Sequence, residues 1–433
     1  MNKITPEIVG GVGDSPNKVE LKKKLLGHAK YIDDLFRPNM LHGAILTSPH
    51  AHAKIISYNV EAARAFPGVK SVITGDNFGD DFMGPFIKDE GAIAKGKVRY
   101  IGEPVCAVAA TTKKIARDAL GLIEVEYEEL PPVLSMQDAI AEDAPIIHEG
   151  LEGYTKIFES ISYDNVMSET KVSEGNVDKS WADCDLIVEN VYETQAQNHM
   201  PIETCGALAE EDGNGRIELW SANQSVFRVQ ANVCETLGLP MSKLRCLTPS
   251  IGAGFGNKME AHVQPIVVKL AMETGLPVKI VLSREEDFEM VRARHPFRIW
   301  IKTGVKSDGT FVAREVDILM DGGAFSDDSP GVLGYAVLCS RGPYRIPNMR
   351  SSGRVVYTNH LRFAAFRGFG NPQVNFASEA QIDEIADKLG MDPIEIREKN
   401  AIEAGDTWFG GQVVESSGLK ECLAEAKTAS NWN

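Results

Sequence analysis

The sequence predicts a mixed α/β (α+β) protein of two domains, on three observations. Val105-Cys-Ala-Val-Ala-Ala110 is an unbroken apolar run with the length of a buried strand. Phe297–Thr303 and Ala313–Leu319 alternate with the two-residue period of half-buried strands. Pro372–Leu389 instead carries Val374, Ala377, Ile382, Ile385 and Leu389 at helical spacing. Both periods occur in one chain, and its 433 residues exceed what a single core ordinarily fills.

In chain order, residues 1–130 read as one compact α/β unit. Thr111 or Thr112 can cap a helix whose Ile115, Ala119 and Leu122 share a face, and Ile123–Tyr127 then alternates apolar and acidic. Strand, helix, strand predicts a βαβ or split βαβ unit, which Pro131-Pro132 ends. Residues 131–175 are acidic and weakly patterned, so they read as a linker wrapping the surface. A larger domain covers 176–433. Its expected elements are strands at Arg216–Trp220, Leu244–Leu247 and Pro277–Leu282, and a helix between Ala261 and Thr274. Asp392-Pro393 with Glu395 opens a further helix with a cap, a first-turn proline and a capping-box acid.

Composition narrows the function. A hydrophobic content of 43% and a charged content of 24% are ordinary for a soluble globular chain. The formal net charge of −16 argues against a nucleic-acid partner, which needs a basic face. No stretch is long enough to cross a bilayer, and Asn2–Gly13 lacks the apolar core of a signal peptide, so a cytoplasmic chain is expected. The seven cysteines include no C-x-x-C pair. The chain is therefore expected to hold neither an iron–sulfur cluster nor a structural zinc, and its thiols to be reduced and mostly buried.

Two segments carry the functional signal. Ile251-Gly-Ala-Gly-Phe-Gly-Asn-Lys258 sets three glycines around Phe255, with Lys258 just behind. Asn359–Asn371 sets Gly368 and Gly370 among Phe366, Arg367 and Phe369. Glycine bares the backbone, so peptide N–H groups can approach a large anion while a ring holds something flat. Two such loops point to a cofactor with phosphate at one end and planar chemistry at the other. The pattern is not a dinucleotide fingerprint, because the third glycine counted from Gly252 falls on Asn257 and no acidic strand end follows. A nicotinamide-dependent dehydrogenase is thus the weaker reading of that loop.

Plainer roles stand beside these. The Gly252 loop could be a bare turn, Arg367 a cation–π packing residue, and Gln224 a solvated strand-end amide. His199 and Glu203 have the spacing of a helical metal pair. Pro201 lies between them and no third ligand is near, which favours a hydrogen-bonded structural pair.

Taken together, these segments resemble the molybdenum hydroxylase family, which includes xanthine dehydrogenase and aldehyde oxidoreductase, over nearly the whole chain. Gly27-His-Ala-Lys-Tyr-Ile-Asp33 and Gly102-Glu-Pro-Val105 look like markers of its hammerhead domain. The remainder resembles the first half of its molybdopterin-binding region, with Ala365–Gln373 the most specific motif. The resemblance implies that Gln224, Gly254, Phe255, Gly256, Phe366, Arg367 and Gly368 bind the cofactor. Gln224, Phe255 and Arg367 would line the molybdenum without ligating it. Phe369 would stack on the substrate, with Tyr335 and Met259 nearby. Purine-oxidising members carry a glutamate where Met259 stands and an arginine where Tyr335 stands. Loss of two charged contacts argues against xanthine and for a pyridine carboxylate, another N-heterocycle, an aromatic acyl thioester or an aldehyde.

The implied activity is hydroxylation, with water, of a carbon next to nitrogen or oxygen. The implied cofactor is molybdopterin with molybdenum, in the cytosine dinucleotide form. Family chains continue well past this one and carry the base glutamate in their second half, so no catalytic residue is expected here. The sequence is either a fragment of such a chain or, the favoured expectation, one subunit of a split enzyme similar to nicotinate dehydrogenase. A second molybdopterin-binding subunit would supply the base, and iron–sulfur and FAD subunits would take the electrons. Two alternatives remain: a non-catalytic homologue that delivers cofactor or scaffolds a complex, and an aromatic acyl-CoA reductase of the same family.

Overall fold

The computed structural model describes residues 11–158 and 161–432. Residues 2–10 of the segment read as lacking a signal peptide, and Glu159 and Ser160 of the expected linker, lie outside them. Among the described residues the strands form sheets of seven, six, three and two.

The seven-stranded sheet runs Leu244–Leu247, Ile217–Ser221, Gly206–Glu211, Val278–Val281, Leu41–Thr47, Pro104–Ala110, Val69–Thr74. Its middle seam joins Leu41–Thr47 to Val278–Val281 in parallel, so the first 130 residues share a sheet with the later chain. Pro104–Ala110 is buried on both faces, as its apolar run predicts. Ala107 and Ala109 enter the core beneath the helices Val226–Thr236 and Gln264–Thr274, with Val229, Val233, Ile266 and Leu270. Cys106, Val108 and Ala110 enter the opposite core, under Ala116 and Ala119 of the Lys113–Leu120 helix. That helix is capped by Thr112, whose hydroxyl accepts the Ile115 amide at 3.1 Å.

The strand after it, Glu124–Glu129, leaves this sheet and pairs with Ala53–Asn59 in the three-stranded one. The expected βαβ unit at 105–127 therefore does not form. Alternation fixes which face of a strand is buried, not which strand pairs with it. Two parallel units lie further on. Ile217–Ser221, the helix Val226–Thr236 and Leu244–Leu247 make one. Phe311–Gly323, the helix Ser329–Cys339 and Asn348–Tyr357 make the other. Ligand loops gather past the carboxyl ends of such strands.

The six-stranded sheet packs on the helices Ser329–Cys339 and Asn371–Leu389 through Val332, Leu333, Val374, Ala377, Ile382 and Ile385. Each valine, leucine or isoleucine among them, fully buried, contributes about 1.5–3 kcal/mol. This sheet takes part of the expected linker. Val166–Glu174 pairs antiparallel along the whole of Asn348–Tyr357 but its ends, and Ile161–Tyr163 pairs with Val166–Glu174. Only the first three residues of Val166–Glu174 are buried, so the strand carries little apolar signal.

Asp392 caps its helix, with Oδ1 accepting the Ile394 amide at 2.6 Å, and Pro393 opens it, but the expected capping-box bond from Glu395 does not form. All seven cysteines are free, five of them buried. No described helix is long and apolar enough to cross a membrane.

Candidate cofactor site

Two neighbouring parallel strands deliver the first half of the site. Leu244–Leu247 leads into the Gly252–Lys258 loop, and Ile217–Ser221 leads into Gln224. The Gln224 Oε1 accepts the amides of Gly256 at 3.0 Å and Lys258 at 3.3 Å. The Gln224 amide in turn donates to the Lys258 carbonyl at 2.7 Å. A Cβ on Gly254 would stand 2.2 Å from Gln224 Oε1, so this approach requires glycine. With its oxygen engaged, the Gln224 side chain keeps both Nε2 hydrogens for a ligand, and the residue is exposed. Its side-chain oxygen is thus held by the loop, unlike that of a free strand-end amide.

The second loop lies directly on the first. The Arg367 amide donates to the Phe255 carbonyl at 2.9 Å. A Cβ on Gly256 would meet the Ala365 carbonyl oxygen at 2.2 Å, so that glycine sets how closely the loops approach. Ala253, Phe255 and Phe369 adopt φ of 75°, 57° and 50°, strained values for residues with a side chain. Such strain persists only where the surroundings enforce it, and it gathers at binding sites.

What these loops offer is unused donors. Among the described residues, the amides of Ala253, Gly254, Phe255, Phe366 and Gly368 have no protein acceptor. Of these residues Phe255 and Gly368 are exposed, Ala253 and Phe366 half-buried, and Gly254 buried. Free N–H groups clustered at such a partly open face fit an anionic, phosphate-bearing group. The amides of Gly256 and Lys258 are not part of that offer, since Gln224 takes both.

Four side chains depart from the sequence reading. Lys258 turns inward, fully buried, and donates to the Glu203 carbonyl at 2.7 Å and Oε2 at 2.9 Å, so its ammonium cannot face a ligand. The cation over Phe366 is Arg294, 3.9 Å from the ring centroid, and not Arg367. His199 and Glu203 form neither a metal pair nor a bonded pair. The ring nitrogens of His199 reach the Ala365 and Arg292 carbonyls, while the carboxylate of Glu203 goes to Ile32, Gly252 and Lys258. No spacing rule pointed to these partners, which are distant in sequence.

The residues expected to meet substrate lie beside this constellation. Tyr335, exposed on the Ser329–Cys339 helix, stands edge-on to Phe369 with centroids 6.4 Å apart. Contact with Cys339 holds its phenol above the usual range, so it stays protonated. Met259, half-buried, closes the first loop, and its amide donates to the Gly256 carbonyl at 3.3 Å. The next helix begins only at Gln264, so the glycine loop does not open that helix as a dinucleotide site requires.

Paired bare loops past the ends of parallel strands have the geometry of a site for an anionic cofactor. Comparison with known proteins agrees. Residues 26–131 match the aldehyde oxidase and xanthine dehydrogenase a/b hammerhead domain, and residues 158–401 match the molybdopterin cofactor-binding domain. The chain is 36% identical, over 96% of its length, to the nicotinate dehydrogenase large molybdopterin subunit of Eubacterium barkeri, and covers 95% of it. It is 34% identical, over 96% of its length, to the xanthine dehydrogenase molybdenum-binding subunit of Escherichia coli, covering 55% of that protein. The solved aldehyde oxidoreductase of Desulfovibrio gigas superposes with a TM-score of 0.89 at 31% identity, over 94% of this chain and 45% of that one. The chain thus spans nearly all of the first relative and about half of the other two. It belongs to the xanthine dehydrogenase and aldehyde oxidase family of molybdenum hydroxylases, as a molybdopterin-binding oxidoreductase subunit.

Proposed function

We propose that this chain holds one side of molybdopterin, in its cytosine dinucleotide form, within a hydroxylase. The enzyme inserts water-derived oxygen at a carbon of an N-heterocycle such as nicotinate, or of an aldehyde. The observation that carries this reading is the pair of hydrogen-bonded glycine loops with unused amides, beside the fixed Gln224 donor.

When bound, the molybdenum–pterin group supplies the redox chemistry, taking up the two electrons released by hydroxylation. The chain's own part is positional. Amides of Ala253, Gly254 and Phe255, with those of Phe366 and Gly368, hold anionic oxygens. Gln224 Nε2 offers a hydrogen bond to an oxo group. Phe369, with Tyr335 edge-on, offers a flat wall to a substrate ring. Gln224, Phe255, Phe369 and Met259 carry no titratable group, and Tyr335 keeps its proton, so none of them is a base near neutral pH. Likeness to the longer family members, rather than any residue of this site, assigns proton removal to a glutamate on a second molybdopterin-binding chain and electron transfer to iron–sulfur and FAD partners. Relatives about twice this length, and the separate large subunit in E. barkeri, support that division.

Neutral Met259 and Tyr335 favour substrates without the polar pattern of a purine. The test is to purify the chain with whatever complex it forms, assay molybdenum and pterin, and follow dye reduction by nicotinate, hypoxanthine and an aromatic aldehyde. Molybdenum, pterin and turnover of nicotinate or aldehyde in preference to hypoxanthine are expected. Bound molybdenum with no turnover in the complete complex would instead make the chain a scaffold or delivery protein.

A further inference from the structure

Residues 199–203 link the two loops to each other and to the N-terminal domain. Gln197–Asn198 pairs with Ala293–Arg294, and Ala293 bridges to Phe363, so His199 and the second loop leave one small sheet together. The His199 ring is 4% exposed and stacks on Phe366 with centroids 4.1 Å apart and planes at 18°. Arg294 lies 3.9 Å from the same centroid, so an imidazole and a guanidinium both pack on the Phe366 ring. His199 Nε2 lies 2.8 Å from the Ala365 carbonyl, against 3.3 Å from Nδ1 to the Arg292 carbonyl, which assigns the N–H to Nε2. That Ala365 oxygen is the atom a Cβ on Gly256 would strike, so His199 holds the second loop at its point of closest approach to the first.

The chain then turns outward at Met200, at φ 46°, and returns with Glu203. Glu203 grips the first loop at both ends. Its Oε2 accepts the Gly252 amide at 2.8 Å and the Lys258 ammonium at 2.9 Å, and its own amide donates to the Gly252 carbonyl at 3.0 Å. Its Oε1 accepts the Ile32 amide at 3.2 Å, inside the hammerhead marker segment.

We propose that His199 and Glu203 are positioning residues, the two ends of one strut that fixes the separation and orientation of both cofactor loops. The strut rests on the reading that these loops hold the pterin group. Neither side chain meets cofactor or substrate; each acts through the backbone it holds.

Hydrogen–deuterium exchange on the 433-residue chain, in the complex with which it purifies, tests this alongside released-pterin content and kinetics. His199→Phe keeps a ring on Phe366 and loses the bond to Ala365. Glu203→Gln keeps an acceptor and loses the charge opposite Lys258. Expected in His199→Phe are exchange about tenfold faster at the Arg367 amide, unchanged exchange in the seven-stranded sheet, and pterin content reduced about fivefold. Glu203→Gln should do the same at the Gly256 and Lys258 amides. In both, kcat should fall further than KM rises. Unchanged loop exchange and pterin content would overturn the strut. So would acceleration spread evenly over the sheet, or failure of both variants to fold, since either makes the segment a general fold element. Wild-type complex lacking pterin would defeat the cofactor reading instead, while loop exchange would still decide the strut.

Discussion

The two glycine loops share a sequence style but are fastened by different forces. Side-chain oxygens hold the first: Gln224 accepts the amides of Gly256 and Lys258, and Glu203 accepts the Gly252 amide and the Lys258 ammonium. Rings and a cation hold the second: His199 and Arg294 both pack on Phe366, His199 donates to the Ala365 carbonyl, and Arg294 donates to the Arg367 carbonyl at 2.9 Å. A repeated motif therefore need not fail in a repeated way. The first loop is sensitive to loss of an acceptor, and the second to protonation of a buried imidazole.

The contact between the loops should be the costliest to disturb. Gly256→Ala places a Cβ against a backbone carbonyl at φ +109°, and nothing nearby is a flexible side-chain end. A loss of about 3 kcal/mol or more in denaturant-unfolding stability is expected, with pterin lost. Acid should next separate the loops. Burial pushes the His199 imidazole from 6.5 down to about 4. The unfolded chain therefore binds this proton first, and the contribution of neutral His199 is complete above pH 6.5 and lost as pH falls toward 4. Going from pH 7 to pH 5 should cost about 2 kcal/mol from this group, and the loss should be absent in His199→Phe. Equal pH profiles for the two proteins would erase the distinction between the loops.

Smaller effects separate the donor from the acceptor within the first loop. Gln224→Glu keeps the acceptor for Gly256 and Lys258 but removes the Nε2 donor. Thermal melting should move little, by the equivalent of about 0.5 kcal/mol, while turnover drops about tenfold or more. Tyr335→Arg, on an exposed helix position, should change stability by less than about 0.5 kcal/mol. Under the proposed substrate reading it should still raise hypoxanthine turnover relative to nicotinate.

Local structure was legible in the sequence where local rules govern it. The Thr112 and Asp392 caps, the buried run at Val105–Ala110 and the stripe of the Asn371–Leu389 helix all form as read. Pairing was not legible. Leu41–Thr47 finds its parallel partner at Val278–Val281, and Glu124–Glu129 finds its own in a different sheet from Pro104–Ala110, because a period carries no address. Val166–Glu174 gives no strand signal because one strand face is mostly wet. At the site, the glycines, aromatics and Gln224 signalled themselves by residue type. The inward turn of Lys258 and the bonds of His199 and Glu203 depend on partners brought close only by the fold.

If the free amides of Ala253, Gly254, Phe255, Phe366 and Gly368 grip a molybdenum-bearing pterin, a solved structure of the purified complex will show it. Pterin or phosphate oxygens should lie within hydrogen-bonding distance of amides from both loops, with Gln224 Nε2 turned toward the metal centre. Both loops packed against a partner's side chains, with the pterin held elsewhere, would contradict that grip.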